Sequence, residues 1–132
     1  MNNNICTFFI KTTGKNTFFA IYKDSITLLN KKVNNNNLLL KLSSCGHFGF
    51  KGRKKETPFA CSVIANKNTL FALNYGFKYV HIIFNGVSLY KKFILNNIIK
   101  TYLNNKALQV LSITDTTQIP HNGCRIKKLK KR

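Results

Sequence analysis

Twenty-two lysines and arginines stand against three acids, Asp24, Glu56 and Asp115, in a chain of 132 residues. A formal charge of +19 cannot be neutralised within the chain, so a compact fold repels itself unless a polyanion is bound. Nucleic acid is the first candidate and an anionic membrane the second. No stretch approaches the roughly 18 apolar residues that span a bilayer, and the cations do not gather on one amphipathic helix. Those two facts favour nucleic acid and argue against a membrane partner. The charge does not prevent a core: 44% of the residues are hydrophobic, well above the level of disordered chains. The length suits one domain.

Lysine greatly outnumbers arginine, asparagine is abundant enough to form the run Asn34–Asn37, and isoleucine and phenylalanine are common. These residues have A/T-rich codons, so part of the lysine content reflects genome bias and only its clustering informs on function. The opening MNNNIC shows neither a signal-peptide core nor an amphipathic transit segment, which leads us to expect synthesis in the compartment where the protein works. Cys6, Cys45, Cys61 and Cys124 lie far apart with no C-x-x-C pair, so reduced thiols are expected.

Ile5 to Lys11 and Thr17 to Lys23 are rich in β-branched and aromatic residues, and the polar link TTGKN between them reads as a hairpin loop. Leu38 to Ser43 is a third strand, followed by the glycine-rich basic loop CGHFGFKGRKK. Thr57 can cap a helix and Pro58 suits its first position, where the missing N–H costs nothing. Phe59, Val63, Ile64 and Phe71 follow at helical spacing, and Gly76 offers a stop. Phe77 to Phe84 reads as a central strand. A second helix is expected from about Leu89 to Leu103, burying Tyr90, Phe93, Ile94, Ile98 and Tyr102, and Ala107 to Thr114 is the last strand. The order β-β-β-α-β-α-β implies an α/β fold with helices packed on a mixed sheet. The domain is expected to cover residues 1–125, with an Asn-rich insertion near 25–37 and a basic tail at 126–132.

Two basic clusters stand out. Lys51, Arg53, Lys54 and Lys55 are spaced by glycines and precede a helix N-terminus, a setting in which backbone N–H groups and the helix end favour phosphate. No Walker pattern is present, which leaves phosphate-backbone binding or a solvated charged loop. Arg125, Lys127, Lys128, Lys130, Lys131 and Arg132 form the second cluster. Together the clusters can neutralise on the order of 6–10 phosphates.

Cys45-x-His47 and His121-x-x-Cys124 invite a zinc reading, but the first gap is tighter than usual and nothing local brings the pairs together. They read as separate loop residues, so neither metal nor cofactor is expected. Cys6 and Cys61 read as small buried hydrophobes, and His81 as a satisfied core histidine. Magnesium-dependent chemistry needs several convergent carboxylates, which three acids hardly supply. His121 and Cys124 as a dyad would still need an orienting group and an oxyanion site. No enzymatic activity is expected.

IPHNGCR, from Ile119 to Arg125, followed by a basic tail resembles the C-terminal signature of the small-subunit ribosomal protein eleven family. GFKGRKKETPFA, Gly49 to Ala60, is similar to that family's loop-and-helix signature, GKNT at Gly14 to Thr17 to its hairpin loop, and Asp115-Thr116-Thr117 to its Asp-Val-Thr. The resemblance runs in order over about residues 5 to 132. It implies a ribonuclease-H-like three-layer α/β/α sandwich and a structural role on the platform of the small subunit near the messenger exit side. The implied partners are small-subunit rRNA and ribosomal proteins seven and eighteen of that subunit. Lys51 to Lys55 and Arg125 to Arg132 would be rRNA contacts, with Lys15 and Asn16 as weaker ones. Where the family has a Gly- and Pro-rich loop followed by Arg, this chain has NGVSLYKK, which keeps Gly86 and a basic Lys91.

In IPHNGCR, Pro120 holds the preceding residue extended, and Asn122-Gly123 is a tight-turn pair tolerant of positive φ. The turn would aim the tail and place His121, Asn122, Gly123 and Arg125 at RNA, the arginine by a fork suited to phosphate or guanine. The missing targeting segment and the codon bias suggest an organelle-encoded copy. Ser43-Ser44-x-Gly46 and Thr57-Pro58-Phe59 look more like plastid than plant mitochondrial versions of the family, so a relic plastid of the apicoplast type is expected first and a mitochondrion second. The competing reading is a free RNA-binding or RNA-processing domain of the same fold.

Overall fold

The computed structural model describes residues 5–23, 38–125 and 127–128. The expected Asn-rich insertion near 25–37 lies outside them. In chain order the elements are β1 (Ile5–Thr12), β2 (Thr17–Lys23), β3 (Leu38–Ser44), α1 (Pro58–Tyr75), β4 (Tyr79–Asn85), α2 (Lys91–Lys100), β5 (Tyr102–Leu103), β6 (Lys106–Ala107) and β7 (Gln109–Asp115). Five strands form one mixed sheet in the order β3-β2-β1-β4-β7. β1 is antiparallel to β2 and parallel to β4, which is parallel to β7.

Alternation along the strands makes the inner face. Phe8 pairs with Ile21 and Ile82, and Ile10 with Phe19 and Phe84, and all of these are buried. Phe8 meets Phe19 edge-to-face at 5.0 Å, the arrangement that ring quadrupoles favour. The crossovers β3-α1-β4 and β4-α2-β7 both move toward the β7 edge. With right-handed connections this sends both helices to one face. There they touch each other, and Asn97 Nδ2 donates to Ser62 Oγ at 3.1 Å between them. The α/β class and mixed sheet are as expected, and the described residues supply the sheet and one helical layer of the implied sandwich.

α1 begins and ends where its sequence says it should. The Thr57 hydroxyl accepts from Ala60 N–H at 3.2 Å, Pro58 opens the helix, and Gly76 closes it at φ 107°, in the left-handed region that a side chain resists. Its buried face differs from the expected one. Ala60, Cys61, Ile64, Ala65, Asn68, Thr69 and Ala72 are buried, whereas Phe59 is 69% exposed. Small residues make up most of the buried face, and Phe59 lies off it. The buried Asn68 is satisfied by Ser43 Oγ at 3.0 Å and by the Ile64 carbonyl at 2.7 Å, as a buried amide must be.

The second helix is shorter than expected. Asn104 and Asn105 adopt φ 50° and 62°, the conformation of a tight hairpin turn, and fold Tyr102–Leu103 back on Lys106–Ala107. Tyr102 is therefore exposed rather than buried, as is Phe93, while Ile94 and Ile98 carry the contact with the core. Ala107 belongs to this small hairpin, and the last sheet strand starts at Gln109.

Cys6, Cys45 and Cys61 are buried and Cys124 is exposed. Burial pushes the Cys6 thiol up to about 12 and also raises Cys45 and Cys61. A thiol held in its neutral form is a poor nucleophile. A thiol reagent should therefore label Cys124 in the native protein and all four cysteines after denaturation, read by mass spectrometry. Native labelling of Cys45 or Cys61 at the rate of Cys124 would contradict this packing.

Candidate nucleic-acid interface

The topology collects the polar motifs at one end of the sheet. β1, β4 and β7 all finish there, both helices start there, and the β1–β2 hairpin turns there. In open α/β sheets this is the end where ligands bind, at the point where connections diverge. That point lies between β1 and β4.

The hairpin tip is shaped by its own side chains. Thr13 N–H donates to the Asn16 carbonyl at 2.9 Å, Asn16 N–H donates to Thr13 Oγ1 at 3.0 Å, and Thr17 N–H donates to Asn16 Oδ1 at 2.8 Å. Asn16 thus serves the loop itself, and Lys15 is left exposed at the tip.

The basic loop is built as two 3-10 turns, Cys45–Phe48 and Gly52–Glu56, where the sequence alone read an irregular loop. Cys45 anchors the first turn in the core. Phe50 packs edge-to-face on Phe59 at 5.9 Å, which explains the exposed start of α1. His47 Nδ1 accepts from Ser44 N–H at 2.9 Å, so His47 and the buried Cys45 face different partners and do not form a ligand pair. Anchored from below, the second turn displays Lys51, Arg53 and Lys54, with Lys55 half-buried. Lys15, Arg53 and Lys55 line one cleft of about 410 Å³ together with Gly52 and Glu56. Three cations around one carboxylate leave a net positive concavity suited to a phosphate group.

The other side of the same end holds the exit of the chain. Thr116 N–H donates to the Phe84 carbonyl at 2.8 Å, and Thr117 Oγ1 accepts from Gly86 N–H at 3.1 Å. Lys91 Nζ bonds Asp115 Oδ2 at 2.9 Å and Thr117 Oγ1 at 3.3 Å. Gly86 sits at φ 103°, and a Cβ there would lie 1.9 Å from the Thr12 carbonyl oxygen. The glycine that NGVSLYKK keeps is thus needed for the approach of β4 to β1. Sequence reasoning missed the pairing of Lys91 with Asp115, since nothing local signals a contact between the start of α2 and the end of β7. Lys11, Thr12 and Asn85 occupy the ends of β1 and β4, so among the described residues no carboxylate stands at the divergence point.

Hydrogen bonds from Thr117 and Lys91 hold the Asp115 carboxyl down at about 2. A depressed carboxylate adds stability above its unfolded value, and that stability is lost as pH falls through the folded one. Asp115→Asn should therefore remove a component of acid unfolding between about pH 4 and about pH 2, followed by circular dichroism. Identical acid profiles would show that the bonds contribute nothing.

Beyond Thr117 the described residues are exposed, including His121, Asn122, Gly123, Cys124, Arg125, Lys127 and Lys128. Asn122 takes φ 53°, the positive φ expected of the Asn-Gly pair, and a Cβ on Gly123 would meet the Pro120 ring at 2.8 Å. Lys130, Lys131 and Arg132 lie outside the described residues. Among the described residues no cluster of three potential metal ligands occurs. His81 Nδ1 lies 2.6 Å from Ser112 Oγ, so it is satisfied, though half-buried on the outer face rather than in the core.

Comparison with known proteins shows the family. The family model described as Ribosomal protein S11 matches residues 10–132. The chain is similar to a small ribosomal subunit protein uS11 of Francisella tularensis subsp. novicida, 35% identical over 107 residues that cover 81% of this chain and 77% of that protein. It is also similar to a protein of the same name from Carsonella ruddii, 42% identical over 85 residues, or 64% of this chain and 68% of that one. The chain belongs to the ribosomal protein S11 family, structural proteins of the small ribosomal subunit that act in translation and not as enzymes.

Proposed function

We propose that the crowded end of the sheet is the surface by which this protein holds small-subunit rRNA, on the platform near the messenger exit side. The observation that carries this reading is the cleft shared by Lys15, Arg53 and Lys55, because it joins two sequence-distant motifs into one cationic site that can follow a phosphate backbone. Lys51 and Lys54 extend it, and the turn at Asn122-Gly123 directs Arg125, Lys127 and Lys128 from the opposite side of the same end, with Lys130, Lys131 and Arg132 continuing the tail. His121 and Asn16 complete the contact set. Residues 1–125 act as the folded rRNA-binding domain, with an insertion near 25–37, and 126–132 as its tail. Ribosomal proteins seven and eighteen of the small subunit are its neighbours.

The A/T-biased composition supports an organelle ribosome, a plastid of the apicoplast type before a mitochondrion. Sedimentation of a low-salt lysate, fractionated by organelle and probed by mass spectrometry, tests this. The chain should co-migrate almost wholly with plastid small subunits. A soluble pool free of ribosomes would favour a free RNA-binding or RNA-processing domain, and recovery with bacterial or mitochondrial subunits would move the compartment.

A further inference from the structure

The opposite end of the sheet carries a second concavity, a cleft of about 360 Å³ between the end of α1, the start of β4 and the β5–β6 hairpin. That volume is at the lower end of the range small-molecule sites occupy. Phe77 and Tyr79 provide aromatic walls, Lys78 and Lys106 the charge, and Asn105 and Gln109 side-chain carboxamides. Gln109 N–H donates to the Lys78 carbonyl at 2.9 Å and the left-handed Asn104 and Asn105 fold the hairpin that carries Lys106, so backbone geometry sets the walls. Tyr75, 51% exposed, stacks on Phe77 at 5.0 Å and 15° and covers one face of that ring, which leaves Tyr79 as the aromatic face of the cleft.

Among the described residues that line this cleft, the ionised side chains are Lys78 and Lys106, both cationic. Aromatic faces, amide groups that can read a base edge, and lysines at phosphate distance are the elements of single-strand recognition. We propose that this cleft takes one unpaired nucleotide of a single-stranded RNA segment, its base against Tyr79 and its phosphates near Lys78 and Lys106. β4 spans seven residues between the two ends, about 20 Å at strand rise, so this contact is separate from the phosphate-lined end. The inference rests on reading the chain as an RNA-binding protein, but on none of the contacts at the other end.

The test uses the full chain with Lys51, Arg53, Lys54 and Lys55 changed to Gln, which removes the loop cations from the reading. The probe is a short single-stranded oligoadenylate carrying one photoreactive thiouridine, with an abasic oligomer of equal length as competitor. Crosslinks should map to the peptides holding Tyr79 or Lys106, and the abasic oligomer should compete about tenfold less well than the adenylate. Tyr79→Leu should weaken binding about tenfold, and Lys106→Glu, on an exposed hairpin that the core does not need, should also weaken it. Equal competition by the abasic oligomer, crosslinks confined to other peptides, or unaltered binding by Lys106→Glu would overturn the proposal. Loss of rRNA-fragment binding in the loop variant, with the Tyr79 crosslink retained, would separate the two ends. Retained fragment binding without that crosslink would sink this proposal alone.

Discussion

Raising monovalent salt from about 50 mM to about 200 mM is expected to weaken binding to a small-subunit rRNA fragment by about a thousandfold to a hundred-thousandfold. That is the range for a protein that releases counterions from six to ten phosphates. The loop cluster and the tail supply that many cations. Changing Lys15, Arg53 and Lys55 together to Gln should lower the slope of log K against log salt by roughly two to three, at about 0.7–0.9 per phosphate contact. All three line one cleft, so their single effects should not add, as is usual for residues sharing one partner. Deleting Lys127 to Arg132 should flatten the slope by several more. A slope that survives both changes would mean that the cations at this end face solvent or protein, and the proposed interface would fall.

The second large effect concerns stability. Gly86→Ala would put a Cβ 1.9 Å from the Thr12 carbonyl oxygen and 3.0 Å from its carbonyl carbon, at φ 103°. Both atoms belong to the backbone of Thr12 at the end of β1, and neither can swing away. The expected cost is about 3–5 kcal/mol in urea unfolding, combining positive-φ strain with an overlap that must separate β1 from β4. Gly49→Ala is the matched control. Its φ is 88°, yet nothing lies within 4 Å of the added Cβ, so it should cost about 1 kcal/mol from strain alone. Equal costs for the two variants would show that the strands do not meet as closely as described. Because Thr117 is bonded to Gly86, Gly86→Ala should also loosen the exit of the tail and reduce rRNA affinity beyond its effect on folding.

The sequence by itself determined those features that depend on neighbouring residues. Thr57, Pro58 and Gly76 set the limits of α1 through capping geometry, and TTGKN set a hairpin because its polar side chains bond its own backbone. The β-branched and aromatic runs of β1 and β2 were sufficient to name strands, and the charge was sufficient to name a polyanion as the expected partner. The family signatures at Gly49–Ala60 and Ile119–Arg125 were legible because each is contiguous. Tertiary structure alone decided which faces were buried and which motifs met. Phe59 and Phe93 sit at helical spacing like core residues, but Phe59 pairs with Phe50 and Phe93 lies beside Tyr90, and both are exposed. The hairpin after α2 overrode a helical pattern because two asparagines accept left-handed conformations. Lys15 meets Arg53 and Lys55, and Lys91 meets Asp115, only because parallel strands and same-side crossovers bring those loops to one end of the sheet. Such contacts follow from strand order and connection handedness, which are properties of the whole chain and leave no mark on any short stretch of it.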